Sequence, residues 1–229
     1  MKKTMLTAAA AMAALAMPAA AHAGSPDGKI QLKLLATGVL PDGKVTAVTN
    51  DVAGLVATKA VTNTAANDNV VPTLAVEYFV TPNISVETIC CTTAHHVTVS
   101  AGTLNGTVAV DNVVIIPATV TLKYHLPLGP IKPYVGAGPT WFIMAGNGEP
   151  SAAVKTLGVT SVNLSSELGV AVQAGVDIAL GNSGYSISLD AKKYWVKTDA
   201  KFYAGAAEVL GTTHKLDPWV LSGGVAYRF

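Results

Sequence analysis

Charge is scarce in this 229-residue chain: 13% of residues are charged, against about 25% in an ordinary soluble domain. A soluble domain needs that charge because its whole outside faces water, so the shortage argues against one. Fifteen Lys and Arg against fourteen Asp and Glu leave a net charge of +1, which excludes a long-range field for nucleic acid. Aromatics reach only 6% although half the residues are hydrophobic. Only two cysteines occur, Cys90 and Cys91; adjacent residues on a strand point to opposite faces, so they cannot found a disulfide framework. They read as small packing residues. Beyond residue 23 no stretch of about 20 apolar residues runs without polar interruption, which excludes a membrane helix there. A Gly-rich phosphate loop, a Ser-centred nucleophile elbow and an HExxH motif are also missing.

The first residues carry a clear instruction. Lys2 and Lys3 precede the apolar "MLTAAAAMAALAM", and Ala21-His22-Ala23 fits the small-x-small rule for cleavage. Residues 1–23 therefore read as a signal peptide and 24–229 as the mature chain. A membrane anchor is the alternative, but the run is shorter than the 17 or so residues that a span needs.

Segments of period-two alternation fall at 29–37, 71–80, 84–92, 113–125, 131–142, 164–180, 185–197 and 216–229. No segment has sustained helical periodicity. The turns at 81–83, 126–130 and 181–184 are short and hold Pro, Gly or Asn. The connections at 38–70, 93–112, 143–163 and 198–215 are long. This strict alternation of short and long fits an eight-stranded antiparallel transmembrane β-barrel of the bacterial outer membrane, with both termini periplasmic. A two-sheet soluble sandwich is the alternative, and it has no reason to sort its loops.

Parity then assigns faces. On 164–180 the even positions Leu164, Leu168, Val170, Val172, Val176 and Ile178 are apolar, while the odd ones are small or polar. The apolar face is the lipid face, since no open edge survives in hydrocarbon. On outward parity, Tyr78, Tyr124, Tyr185, Tyr227 and Phe229 lie at periplasmic ends, and Trp141, Trp195 and Trp219 at outer ends. These are two aromatic girdles, about 25 Å apart at a strand rise near 3.3 Å and a tilt near 40°. Tyr134 falls on lumen parity and breaks the pattern.

Inward parity in the lower half collects Lys33, Glu77, Glu87, Lys123, Asp177 and Arg228, expected to pair into a charged floor because isolated buried ions are costly. The upper half offers Leu35, Ile89, Ile115, Phe142 and Val220 as an apolar cup. A hydrophobic solute reaching the cup would be turned sideways by the floor, through the wall into the membrane. Pro117, Pro133 and Pro139 each remove a ladder donor and mark either that exit or simple bulges. His95, His96 and His214 are the only outer-loop histidines, and no spacing supports a metal site.

Four stretches carry a family likeness: "PATVTLKYHL", "IKPYVGAGPTWF", "ELGVAVQAGVDIAL" and "LDPWVLSGGVAYRF". Together with "TPNISVET" they resemble the OmpW family over most of residues 70–229. The resemblance implies an eight-stranded outer-membrane barrel that lets small hydrophobic compounds cross. It implies no cofactor and no enzymatic activity. A terminal aromatic on an alternating strand also resembles the signal read by outer-membrane assembly machinery. Expected partners are thus outer-membrane lipid, small apolar solutes and that machinery, with no nucleic acid. The runner-up function is a structural or surface-interaction barrel acting through its long outer loops.

Overall fold

A computed structural model describes residues 24–52, 54–145 and 148–229. The signal peptide expected at 1–23 lies outside the described residues. The chain runs through β1 (Ile30–Leu40), β2 (Lys44–Asp51), β3 (Asn63–Ala66), β4 (Asn69–Phe79) and β5 (Ile84–Cys90). Next come β6 (Thr93–Ala101), β7 (Val108–His125), β8 (Ile131–Met144), β9 (Glu149–Pro150) and a short helix, Ala152–Thr156. β10 (Ser161–Leu164), β11 (Glu167–Ala179), β12 (Tyr185–Trp195), β13 (Lys197–Ala204), β14 (Ala207–Lys215) and β15 (Trp219–Arg228) complete it.

Eight of these strands close on themselves. The order β7-β5-β4-β1-β15-β12-β11-β8 is antiparallel throughout and returns to its start through β7–β8 pairing. First and last strands join directly, from Gln31↔Arg228 to Leu40↔Trp219. Closure leaves no edge to face hydrocarbon. In β1 and β12 exposed and buried positions alternate almost perfectly, as a wall with lipid outside and a filled lumen requires. Leu34, Leu122, Val135, Leu168 and Val225 all point outward and are more than half exposed.

The long connections differ from the sequence reading. They are not loops of small and polar residues but a second β layer. β10-β13-β14-β2 form a four-stranded sheet, while β6 and β3 carry the barrel sheet upward beside the top of β7. The two sheets face each other across a core of Val99, Val110, Val113, Val162, Phe202 and Leu210. Period two is blurred there by register shifts at His95/Val97, Val97/Thr98, Gly211/Thr212 and Thr213/His214. Each bulge flips the parity of the residues beyond it.

Inside the barrel Tyr134 is 3% exposed, directly opposite Gly175 on β11. A Cβ at Gly175 would lie 2.4 Å from the Tyr134 hydroxyl oxygen and 2.4 Å from the Leu189 carbonyl. The missing side chain is what lets the ring lie across the lumen. Gly175→Val should therefore destabilise the barrel by about 1–3 kcal/mol through overpacking. The check is the urea midpoint of the protein refolded in lipid vesicles, which should fall.

Candidate functional site: a charged floor beneath an apolar cup

β4 and β5 place Glu77 directly opposite Glu87, an arrangement that repels unless cations intervene. Two do. Lys33 Nζ lies 2.9 Å from Glu77 and 3.1 Å from Glu87; Lys123 Nζ lies 2.9 Å from each. Asp177 joins Lys33 at 3.5 Å. Lys192 reaches Glu87 at 3.2 Å and also binds Asp190. Gln31 donates to Asp177, Gln173 donates to Glu87, and the Tyr134 hydroxyl donates to Asp190 at 2.9 Å. The Tyr134 ring also faces the Lys123 ammonium, 3.7 Å from its centroid, a favourable cation–π approach. All three lysines and all four carboxylates are at most 7% exposed. The lumen is filled at this level.

Arg228 is buried on the inward side, as its parity indicates, but among the described residues it forms no ion pair with these carboxylates, contrary to the expected pairing. Its guanidinium lies over the Phe79 ring, 3.4 Å from the centroid, and its Nε donates to the Gly28 carbonyl. Residues 24–28 cross beneath the barrel mouth, where Ser25 donates to the Arg228 carbonyl; that leader pulls the arginine down and away from the carboxylates. His125 takes a place the sequence did not indicate, its Nε2 2.8 Å from Glu77 and 2.8 Å from Ser85 Oγ. This is no hydrolytic relay, because one ring nitrogen serves both neighbours and Ser85 is 0% exposed.

Above the floor a rung of Thr119, Thr140 and the Tyr194 hydroxyl spans the lumen. The lining then turns apolar. Phe142, Val220 and Ala171 cluster with Tyr194, and Ile115 packs against them half-buried. Ile89 sits with Val71, Ala75 and Cys91. Leu35 is 5% exposed lower in the same wall, outside both clusters. A cavity of about 40 Å³ lies between Phe142, Val220, Ile89 and Pro117. A second, of about 570 Å³, fills the space between the two sheets of the upper layer. Ala66, His95, Ile115 and Leu216 line both, so the cavities adjoin. Among the described residues no Lys, Arg, Asp or Glu lines the larger one, and its aromatic rings are Phe202, His95 and His214.

The histidines are spent within this layer. His95 Nδ1 donates to the Asn67 carbonyl at 2.8 Å, and His96 meets Asp111 at 3.0 Å on the outside. His214 is held between Thr64 Oγ1 at 3.1 Å and Thr212 Oγ1 at 2.7 Å, linking β14 of one sheet to β3 of the other. Among the described residues no group of three metal-ligating side chains forms.

The prolines differ in what they open. β5 ends at Cys90 and β6 resumes at Thr93, on one continuous register against β7. Continued through the gap, that register sets Pro117 opposite Cys91, and the β4–β5 register sets Pro72 opposite Thr92. Two residues without an N–H thus flank one junction in the wall, and the smaller cavity touches its inner side through Cys91, Thr93 and Pro117. At Pro139 the β7–β8 pairing also lapses, between Thr119↔Thr140 and Leu122↔Ala137. There the strands press together instead: a Cβ on Gly138 would meet the Val120 carbonyl at 1.9 Å. Pro133 stays in register with Val176.

The girdle residues sit on the outer wall. Tyr78, Tyr124, Tyr185, Trp141, Trp195 and Trp219 are each about half exposed, and Tyr227 lies between Tyr185 and Phe229 at 4.7 and 5.8 Å.

An edgeless eight-stranded cylinder with an oily outside and a salt-filled inside is an outer-membrane β-barrel. The OmpW family model matches residues 26–229, and the chain belongs to that family and to the outer membrane. It is 30% identical to the uncharacterized outer-membrane protein y4mB of Sinorhizobium fredii, over 71% of this chain and 67% of that one. It is 31% identical to the dibenzothiophene metabolism operon protein PahQ of Pseudomonas aeruginosa, over 56% of this chain and 57% of the relative. Its fold is that of the outer membrane protein OprG from Pseudomonas aeruginosa, with a TM-score of 0.74 at 20% identity, covering 90% of this chain and 98% of OprG. Outer membrane protein AlkL shares it, with a TM-score of 0.67 at 24% identity over 93% and 95% of the chains.

Burial pushes the His214 imidazole down to about 4 and also lowers that of His95. A histidine whose folded pKa lies below its unfolded value stabilises fully above the ordinary 6.5. That stability is lost as pH falls towards 4, because the unfolded chain takes up the proton first. Resistance to thermal unfolding should thus fall as pH drops through this window, by ~3 kcal/mol at most. His214→Gln should flatten the dependence.

Proposed function

We propose that this barrel admits small hydrophobic molecules from outside and releases them sideways into the membrane. The observation that carries the reading is the uncharged, largely apolar cavity of about 570 Å³ set above a lumen filled by ion pairs. An apolar solute gains about 25 cal/mol for each Å² of apolar surface removed from water there. It cannot continue downward, because passing the floor would mean separating buried ions, which costs about 3–5 kcal/mol per broken pair. The junction at Cys91–Thr92, flanked by Pro72 and Pro117, is the weakest wall the smaller cavity touches. The name of one relative ties it to a dibenzothiophene metabolism operon, which fits fused-ring aromatic compounds as one solute class. The alternating strand β15, with Tyr227 and Phe229 stacked on its outer side, is the segment that outer-membrane assembly machinery would read.

The runner-up is a surface-interaction role for the upper β layer and its loops, where Val52 is exposed outside the cavity lining. Uptake of naphthalene and dibenzothiophene by cells with and without the protein separates the two. We expect several-fold faster uptake with it; equal rates would favour the surface role. Pro72→Val with Pro117→Val supplies both missing donors and should slow uptake in a correctly assembled barrel. Unchanged uptake in that variant would count against the sideways exit alone.

A further inference from the structure

Lys197 on β13 pairs directly with Lys215 on β14, which pairs directly with Lys44 on β2. Three adjacent strands therefore set three lysines side by side on one face, the outer face of the four-stranded sheet. Their inward neighbours are Thr198, His214 and Val45, which line the large cavity. Like charges directly opposite are destabilising. In the lumen the same problem, Glu77 against Glu87, is solved by two bridging lysines. On the outer face the compensation is incomplete. Lys215 is paired with Asp217 Oδ2 at 2.7 Å, and that hydrogen bond and charge raise its pKa. Neither Lys44 nor Lys197 has a carboxylate partner among the described residues. Asp42 and Asp199 stand nearby as carboxylates, but neither comes within 4 Å of Lys44 or Lys197 to form an ion pair.

Height decides what faces this row. Lys197 is two residues past Trp195 of the upper girdle, about 5 Å farther from the membrane centre at 3.3 Å per residue and a 40° tilt. The polar layer of a bilayer is about 5–7 Å deep on each side. Just below, Lys193 donates to the Asp217 carbonyl and lies over the Trp219 ring, 5.2 Å from its centroid. Four ammonium groups thus gather on one side of the barrel at headgroup level, a local concentration that the near-neutral net charge conceals.

We propose that Lys44, Lys197 and Lys215, with Lys193 beneath them, form a docking row for the phosphate groups of an outer-leaflet glycolipid. The phosphates supply the anions that the row lacks, and the girdle tryptophans meet the acyl chains below. The row is independent of the transport reading, since it lies on the opposite surface of the sheet from the cavity.

Native mass spectrometry of the full barrel in detergent tests this with diphosphoryl lipid A as probe. Wild type should retain it at least roughly tenfold better than the fully dephosphorylated lipid, and retention should fall as salt rises. The triple variant Lys44→Gln, Lys197→Gln, Lys215→Gln should lose that preference, and the corresponding triple Arg variant should keep it. Equal retention of both lipids by wild type overturns the proposal without any variant, as does an undiminished preference in the Gln variant. Displacement of lipid A by millimolar inorganic phosphate would make the row a free-anion site and overturn the lipid assignment.

Discussion

Glu77 facing Glu87 across two neighbouring strands is the contact around which the barrel is organised. Two carboxylates so placed cannot share a dry interior, and Lys33 and Lys123 each answer both of them at about 3 Å. Those lysines come from β1 and β7, so one knot ties four consecutive staves. Lys192, Asp190 and Asp177 extend it to β12 and β11, and Tyr134 brings in β8. Seven of the eight staves contribute. A buried ion pair adds little net stability over an apolar filling. What it adds here is register, because slipping any strand by one residue would strand a charge in lipid.

Closing the lower lumen determines the rest of the molecule. An eight-stranded cylinder has room for side chains and little else, so the useful volume must lie elsewhere. The chain builds it above the bilayer, where β2, β6, β13 and β14 enclose an apolar space many times larger than the cup below. Bulges let these strands curve over the barrel rather than continue its cylinder. Thr64, bonded to His214, and Asn63, accepting from the Val45 amide, hold the two sheets together where no ladder does.

The barrel itself was legible because lipid on one side and ions on the other impose an uninterrupted period of two. Leu168 to Ile178 and the Tyr–Trp parity carried that signal without help from any long-range contact, whereas Leu164, read from the sequence as lipid-facing, ends β10 and turns into the upper cavity. Partners were less legible. Parity could say that Lys33, Glu77, Glu87, Lys123 and Asp177 face inward, but not that Arg228 turns down onto Phe79 or that His125 joins Glu77. The upper layer escaped because each bulge resets the alternation, so 38–70 and 198–215 look like plain loops. Pro72 was missed for a related reason. Its place opposite Thr92, twenty residues away, follows only from the register between β4 and β5.

Electrical conductance is the most direct test that the lumen is sealed. Purified protein reconstituted in planar bilayers should give no stable ohmic current at neutral pH and moderate salt, because three lysines and four carboxylates pack and pair across the lumen. A large, steady, voltage-independent conductance from the wild-type barrel would contradict the account.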